Sequence, residues 1–175
     1  FLTLVQGVNG FGGDQLVNNN GTTAGSAALS LTKLDEAIDR VKGASQRSDL
    51  AIIGSFAGIR QVNSALQAQQ RFSDVREIAA GFRVRTYDGI PLVVSTAMLN
   101  NFHFDGAGLI TGNTANGTSL LVVNTRYCYI SELTPTTVMP LAKTDAQFDE
   151  FDMFWDGSPV LSNTLGASML TNLAT

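Results

Sequence analysis

The sequence predicts an α+β fold, because helical and strand patterns follow one another along the chain. An amphipathic helix is predicted over 32–42, a short buried strand over 50–53 and a second helix over about 56–71. A helix, a strand and a helix in this order indicate a layered domain with a sheet. The apolar residues that recur on one face of the first helix are Leu34, Ala37, Ile38 and Val41.

Each helix carries recognisable end signals. Thr32 is the expected N-cap of the first helix, with Asp35 and Glu36 in its first turn, where the helix dipole favours anions. Glu36 and Arg40 form an i,i+4 pair, and Gly43 is the expected stop. Ser55 is the expected cap of the second helix. The residues expected to face the core are Phe56, Ile59, Val62 or Asn63, and Leu66.

The clearest hairpin is predicted at 81–96. Its centre, Asp88-Gly89, is typical of a two-residue type I′ turn. One strand face carries Arg83 and Arg85 beside aliphatic residues of the returning strand. We therefore expect acidic residues of the same chain or of a neighbour to cover this face.

The C-terminal third is predicted to be strands. Segments 119–124 and 126–133 are expected strands, 136–139 an extended piece, and 160–173 one or two terminal strands. Between them, aromatic residues recur about every third position and acidic residues stand among them. Because this spacing does not fit the strict alternation of a regular strand, it predicts a strand with a bulge or a register change. These residues are Phe148, Asp149, Glu150, Phe151, Asp152, Phe154, Trp155 and Asp156. Gly157-Ser158-Pro159 is an expected turn.

Two long segments show no secondary-structure period. Residues 1–31 are rich in Gly and Asn and predict connector or loop structure, with a short strand over 2–6. Residues 100–118 are rich in Gly, Asn and Thr, and a loop of this length is usually functional or mobile.

Composition excludes several function classes. Hydrophobic residues make up 44% of the 175 residues and charged residues only 15%, so a folded core is expected. A net charge of −4 disfavours binding to nucleic-acid phosphates. One Cys and one His exclude an intrachain disulfide and a structural zinc site, so we expect no metal and no cofactor. No apolar run approaches the roughly 20 residues that span a bilayer.

Charge is spread unevenly along the chain. Eight of the 11 basic residues lie between Arg40 and Arg85, whereas residues 145–175 hold five acids and no base. The two regions can neutralise each other within one subunit or between neighbours. A divalent-cation site in the acidic segment is the weaker interpretation, because the spacing is not that of an EF-hand.

Catalytic patterns are weak. Ser30-Leu31-Thr32-Lys33 matches the S-x-x-K pattern of serine acyl-enzymes, but its companion motifs are absent and helix capping explains the same residues. The glycine-rich stretch 7–13 fits neither a dinucleotide nor a Walker loop. For His103 and Cys128 a packed histidine and an inert buried thiol are the favoured interpretations, so we do not expect an enzyme.

The order of the predicted elements and several short sequence phrases resemble those of the major capsid proteins of tailed bacteriophages with the Hong Kong 97-like fold. The resemblance covers about 30–173 and rests on the order of elements, on the strand pair Leu120 to Tyr129 and on four phrases. These are Leu34-Asp35-Glu36-Ala37-Ile38, Asp49-Leu50-Ala51-Ile52-Ile53, the hairpin Tyr87 to Val94, and Pro140-Leu141-Ala142-Lys143-Thr144-Asp145. The chain begins at Phe1 without an initiator Met, and the family's long spine helix is not visible. We therefore expect the C-terminal portion of a longer capsid chain.

The resemblance implies a central mixed sheet flanked by helices, as in the family's axial domain, with an additional β-strand lobe. It divides the chain into a connector (1–31), an axial-domain-like core (32–133) and strands returning to a peripheral-domain-like lobe (134–175). It implies a virion protein, assembled in the host cytoplasm, that forms pentamers and hexamers of an icosahedral head around double-stranded DNA. Implied partners are copies of itself, with scaffolding and portal proteins as further candidates, and no membrane.

Interface candidates follow from these expectations. They are Arg83, Arg85, Asn100, Asn101, Phe102, His103, Phe104, Asp149 and Asp152. Two alternatives stay open. One is an encapsulin-type nanocompartment shell, which shares the fold and encloses protein cargo. The other is a small hydrolase with its site in 100–118, where His103 and Asp105 would act as base and orienting group.

Overall fold

A computed structural model describes residues 15–20, 25–68, 75–79, 82–98, 100, 102–105, 108–111, 117–141 and 150–175, with the backbone alone at 76–79, 82, 102–105 and 108–111. The strands are β1 (Leu16–Asn18), β2 (Leu50–Gly54), β3 (Val75–Ala79), β4 (Phe82–Tyr87), β5 (Ile90–Val94), β6 (Phe102–Asp105), β7 (Gly108–Thr111), β8 (Thr118–Asn124), β9 (Cys128–Pro140), β10 (Phe151–Leu161) and β11 (Ala167–Leu173). The helices are α1 (Leu31–Arg40) and α2 (Phe56–Ala68). The predicted strand at 2–6 lies outside the described residues.

Seven strands form one mixed sheet, in the order β1-β11-β8-β2-β5-β4-β3. The pairs β1–β11 and β2–β5 are parallel, and the other neighbours are antiparallel. The mixed α+β architecture predicted from the sequence is therefore confirmed. The sheet contains both the first described strand, β1, and the last, β11. The division of the chain into three segments stays a prediction.

The sheet is covered on both faces. All residues of β8 and β11 are buried, and alternate residues of β8 belong to two different apolar clusters. Leu120 and Val122 pack in the larger cluster with residues of both helices, whereas Leu121 and Val123 pack in the smaller one with Met169. This alternation is the expected consequence of the two-residue period of a strand.

Helix α1 begins one residue earlier than predicted. Ser30 takes the extended N-cap conformation, and its carbonyl oxygen accepts from the backbone nitrogen of Leu34 at 3.1 Å, so the assignment of Thr32 as the cap is wrong. The first turn consequently contains no acid. Glu36 instead accepts from Lys33 at 2.7 Å and from Arg40 at 2.5 Å, which confirms the predicted i,i+4 pair.

Helix α2 begins at the predicted cap. The Ser55 hydroxyl oxygen accepts from the backbone nitrogen of Gly58 at 3.1 Å and lies 2.9 Å from the Thr118 hydroxyl oxygen. Ile59, Val62 and Leu66 are buried as expected. Phe56 is 62% exposed, so its expected core position is wrong. It is the first helical residue, and the buried face of this turn is formed by Gly58 and Ile59 instead.

The predicted hairpin is confirmed at its turn, where β4 and β5 pair, and residue 81 lies outside the described residues. Asp88 and Gly89 both have positive φ, at 48° and 79°, as a type I′ turn requires. Thr86 pairs with Pro91 and Tyr87 with Ile90, which is the register expected for a two-residue turn.

Residues 100–118 are not one irregular loop. Strands β6 and β7 pair antiparallel within this segment, and Thr118 already belongs to β8. Each of these strands has only four residues, which is too few for a two-residue period to be visible in the sequence.

Strands β9 and β10 form a separate two-stranded antiparallel ribbon. Strand β9 has 13 residues, which corresponds to roughly 43 Å. Gly157-Ser158-Pro159 lies inside β10, so the expected turn there is wrong. The prolines fit because in a two-stranded ribbon each strand is an edge. Register shifts around Asp156 confirm the predicted bulge.

Candidate interaction surface

The ribbon exposes large apolar side chains along most of its length. Leu133 is the extreme case, at 82% exposed. The exposed apolar residues of the ribbon and its end are Tyr129, Ile130, Leu133, Val138, Met139, Leu141, Phe151, Met153, Phe154 and Trp155. A soluble monomer rarely exposes so much contiguous apolar surface, and such surfaces are usually interaction sites.

Both faces of the ribbon carry apolar residues where 151–154 pair with 137–140. Met153 pairs with Val138 and Phe151 with Pro140, which makes one face apolar. Asp152 pairs with Met139 on the opposite face, and Phe154 follows two residues later on that face. A two-stranded ribbon alone is marginally stable in water, so both faces are candidates for burial against another surface.

The bulge organises the middle of the ribbon. Trp155 donates a hydrogen bond from its indole nitrogen to Glu132 Oε1 at 3.0 Å. The Trp155 ring lies where a Cβ of residue 157 would stand, so Gly157 is the residue that allows this contact. The ring therefore bridges the two strands where their register changes.

The ribbon is also acidic. Its described parts, 128–141 and 150–161, contain no Lys or Arg. Their four acids, Glu132, Glu150, Asp152 and Asp156, are exposed. The predicted interface residue Asp152 is among them, and Asp149 lies outside the described residues.

The predicted arginine face belongs to the seven-stranded sheet and not to the ribbon. Arg83 and Arg85 are both exposed on β4, next to the edge strand β3. Val75 pairs with Arg85 and is 53% exposed, and the backbone register places Glu77 opposite Arg83. Among the residues whose side chains the structure describes, which do not include Glu77, neither arginine has an ion-pair partner. Cover by a neighbouring chain stays a prediction.

The remaining interface candidates lie around β6. Asn100 is exposed just before this strand, and Asn101 lies outside the described residues. Phe102, His103 and Phe104 take register positions opposite Thr111, Ile110 and Leu109. His103 and Asp105, the residues of the hydrolase alternative, are two positions apart on β6. The catalytic roles of these two residues stay predictions.

The described residues bring together no group of three or more His, Cys, Asp or Glu side chains that could hold a metal ion. Within the same residues, no helix is long and apolar enough to cross a bilayer. Burial raises the pKa of the Cys128 thiol, which keeps it in the unreactive protonated form.

Comparison with known proteins gives similarity in structure only. No family model and no curated protein sequence matches the chain. The holo-SrpI encapsulin complex from Synechococcus elongatus PCC 7942 superposes with a TM-score of 0.61 at 14% identity, over 91% of this chain. The capsid of an empty gene transfer agent particle superposes with a TM-score of 0.52 at 18% identity, over 95% of this chain.

The chain shares the fold of these two shell proteins. This confirms the predicted resemblance to Hong Kong 97-like capsid proteins at the level of fold. The chain spans about half the length of each, 53% and 56%.

The full length of the ribbon and the exposure of its apolar side chains differ from what the sequence predicted. A signal was present: between Leu133 and Leu141 apolar residues stand among Thr and Pro, without the strict alternation of a half-buried strand. That pattern fits a strand whose two faces are both apolar in part.

Proposed function

We propose that this chain is a structural subunit of a closed protein shell and not an enzyme. The observation that carries the proposal is the structural similarity, over more than nine-tenths of the chain, to a protein of an encapsulin complex and to a particle capsid. The exposed ribbon supports it independently, because a shell subunit must bury such surface against its neighbours.

The finer proposal is the major capsid protein of an icosahedral phage head, built from pentamers and hexamers around double-stranded DNA. The net charge of −4 supports it, because a wall that encloses DNA by its shape has no need to bind phosphates. In this proposal residues 32–133 form the axial domain, whose sheet also includes β11, and the other strands of residues 134–175 belong to the peripheral domain. Scaffolding and portal proteins are the proposed partners in the host cytoplasm, and the virion is the proposed location.

The second candidate is an encapsulin-type compartment that encloses protein. The higher TM-score of the encapsulin comparison, 0.61 against 0.52, favours it. The two candidates make the same prediction for the shell and opposite predictions for its contents.

The test is to express the full-length protein and examine it by size-exclusion chromatography and electron microscopy. Closed shells are the expected result. After nuclease treatment, protected DNA of uniform length supports the phage head, and a protein cargo identified by mass spectrometry supports the compartment. A clean monomer at all concentrations would contradict both.

A ribbon variant sharpens this test. Met153→Asp with Val138→Asp places two charges on the apolar face and should abolish shells while leaving the melting temperature of the subunit nearly unchanged, because both residues are exposed. Ser158→Asp with Ser131→Asp is the matched control on a polar cross-strand pair of the same ribbon.

A further inference from the structure

We propose that the ribbon of one subunit binds the arginine-bearing sheet edge of a neighbouring copy of the same chain. The two surfaces are an acidic ribbon patch, formed by Asp152, Met139 and Phe154, and an arginine patch, formed by Arg83, Arg85 and Val75. The inference rests on the proposed function and names the contact by which the subunits join.

The acidic ribbon patch has the composition of an interface. Asp152 and Met139 are a cross-strand pair, and Phe154 lies on the same face. Met139 is 53% exposed and Phe154 43% exposed, so the carboxylate stands between two accessible apolar side chains. The described parts of the ribbon contain no Lys or Arg, so no cation among them neutralises Asp152.

The arginine patch has the complementary composition. Alternation along β4 places Arg83 and Arg85 on one face, and Val75 lies opposite Arg85 on the same face. The backbone register gives Arg83 an acidic residue opposite, Glu77, whereas Arg85 has none opposite. Arg85 is therefore the stronger candidate for a carboxylate from another chain, and its planar guanidinium suits bidentate binding.

A second copy is the occupant that the charges favour. Both patches are exposed in the same chain, and among the described residues no ion pair joins them. Their charges are opposite, and each combines charge with exposed apolar surface, as interface patches do.

A contact between two different patches is heterologous, because each subunit offers one patch to each of two neighbours. Heterologous contacts close into rings when the rotation between subunits allows it. Such a contact is the type needed for pentamers and hexamers.

The first experiment is a charge-reversal cycle in the full-length protein. Arg85→Glu and Asp152→Arg should each raise the concentration needed for assembly by at least about tenfold, through like-charge repulsion. The double variant should recover most of the loss, because the pair is restored with reversed sign. Arg60→Glu, an exposed arginine on α2, is the matched control and should assemble like the parent protein. Circular dichroism melting confirms that each variant is folded.

The outcomes separate this inference from the proposed function. Normal shells from both single reversals would overturn the docking contact and leave the shell function intact. Failure of the unmodified protein to form shells would contradict the shell function. In that case cross-linking tests whether the two patches still bind each other.

The cross-linking experiment uses two proteins that both carry Cys128→Ser. One adds Arg85→Cys and the other Asp152→Cys, so a disulfide can join the two positions only between chains. Mixing them under mild oxidation should give a covalent dimer, and replacing Arg85→Cys by Arg60→Cys should not. No dimer from the first mixture would overturn the inference.

Discussion

Trp155 and Gly157 are in contact within one strand, the indole ring lying over the α-carbon where any other residue would carry its Cβ. The same ring donates to Glu132 on the partner strand at 3.0 Å. The bulge around Asp156 brings these residues together. The ribbon's shape therefore depends on a residue that has no side chain.

Gly157→Ala should displace the Trp155 ring and loosen the ribbon at the bulge. Because Trp155 is the sole tryptophan, its fluorescence reports this change directly, and we expect a red shift of the emission maximum. The melting temperature of the sheet domain should change little, since the described residues of the ribbon join the apolar clusters only at Leu161 and Cys128, which pair with each other at one end of the ribbon. Ser158→Ala, one residue along the strand, is the control. An unchanged emission spectrum in Gly157→Ala would show that the contact is not maintained in solution.

The thiol of Cys128 should be slow to react. Partial burial raises its pKa above the ordinary value, so the thiolate fraction at neutral pH is smaller than that of a free thiol. Alkylation by iodoacetamide at pH 7 should therefore be slower than for glutathione and should accelerate with pH. In urea the rate should approach that of the small thiol. A folded protein that reacts as fast as glutathione at pH 7 would argue against this burial.

Asp49 gives a pH-dependent contribution to stability. Desolvation alone would raise its pKa, but hydrogen bonds from the Ser45 hydroxyl and the Gln46 backbone nitrogen, together with Arg126 at 3.3 Å, lower it below the ordinary value. A lowered pKa stabilises the fold above the unfolded-state pKa of about 3.9 and loses this effect as the pH falls through the folded-state value.

Asp49→Asn should accordingly be less stable than the parent protein at pH 7, and the difference should shrink as the pH falls below about 4. Urea unfolding of both proteins across this range measures it. Ser48→Ala, a neighbouring exposed residue, should show a difference that does not vary with pH. A constant difference for Asp49→Asn would mean that its carboxylate is not preferentially stabilised in the folded state.

The sequence predicted the elements whose signals are local. The type I′ turn needs positive φ at two adjacent residues, and the dipeptide Asp88-Gly89 alone predicts it. Ser55 before an apolar helical face is equally local, and both predictions are confirmed. The N-cap of α1 was predicted two residues too late because Ser30 and Thr32 are both good caps, and the choice depends on packing of Leu31 into the core.

The strand order could not be predicted, because it depends on contacts between distant parts of the chain. Strand β11 lies between β1 and β8, and its parallel neighbour β1 is about 150 residues away in sequence. The ribbon was misjudged for a related reason. Gly157-Ser158-Pro159 has the composition of a turn, but pairing with Glu132, Ser131 and Ile130 holds it extended.

A final prediction concerns the close approach of α2 to the sheet. Gly54 pairs with Leu120 across β2 and β8, and the Leu120 side chain lies where a Cβ on Gly54 would stand. The same leucine methyl would be 3.0 Å from a Cβ on Gly58 in the first turn of α2. Two glycines thus make room for one fully buried leucine.

Gly54→Ala should cost about 1–3 kcal/mol through overpacking, and Leu120→Ala about 2–5 kcal/mol through the cavity it leaves. The double variant should lose less than the sum, by about 0.5–3 kcal/mol, because the new methyl group fills part of the vacated space. Urea unfolding of the four proteins gives this coupling energy. Met169→Ala with Gly54→Ala is the control cycle, since Met169 belongs to the cluster on the other face of the sheet, and its effects should add. Additivity of Gly54→Ala with Leu120→Ala as well would mean that the cost of Gly54→Ala does not come from its contact with Leu120.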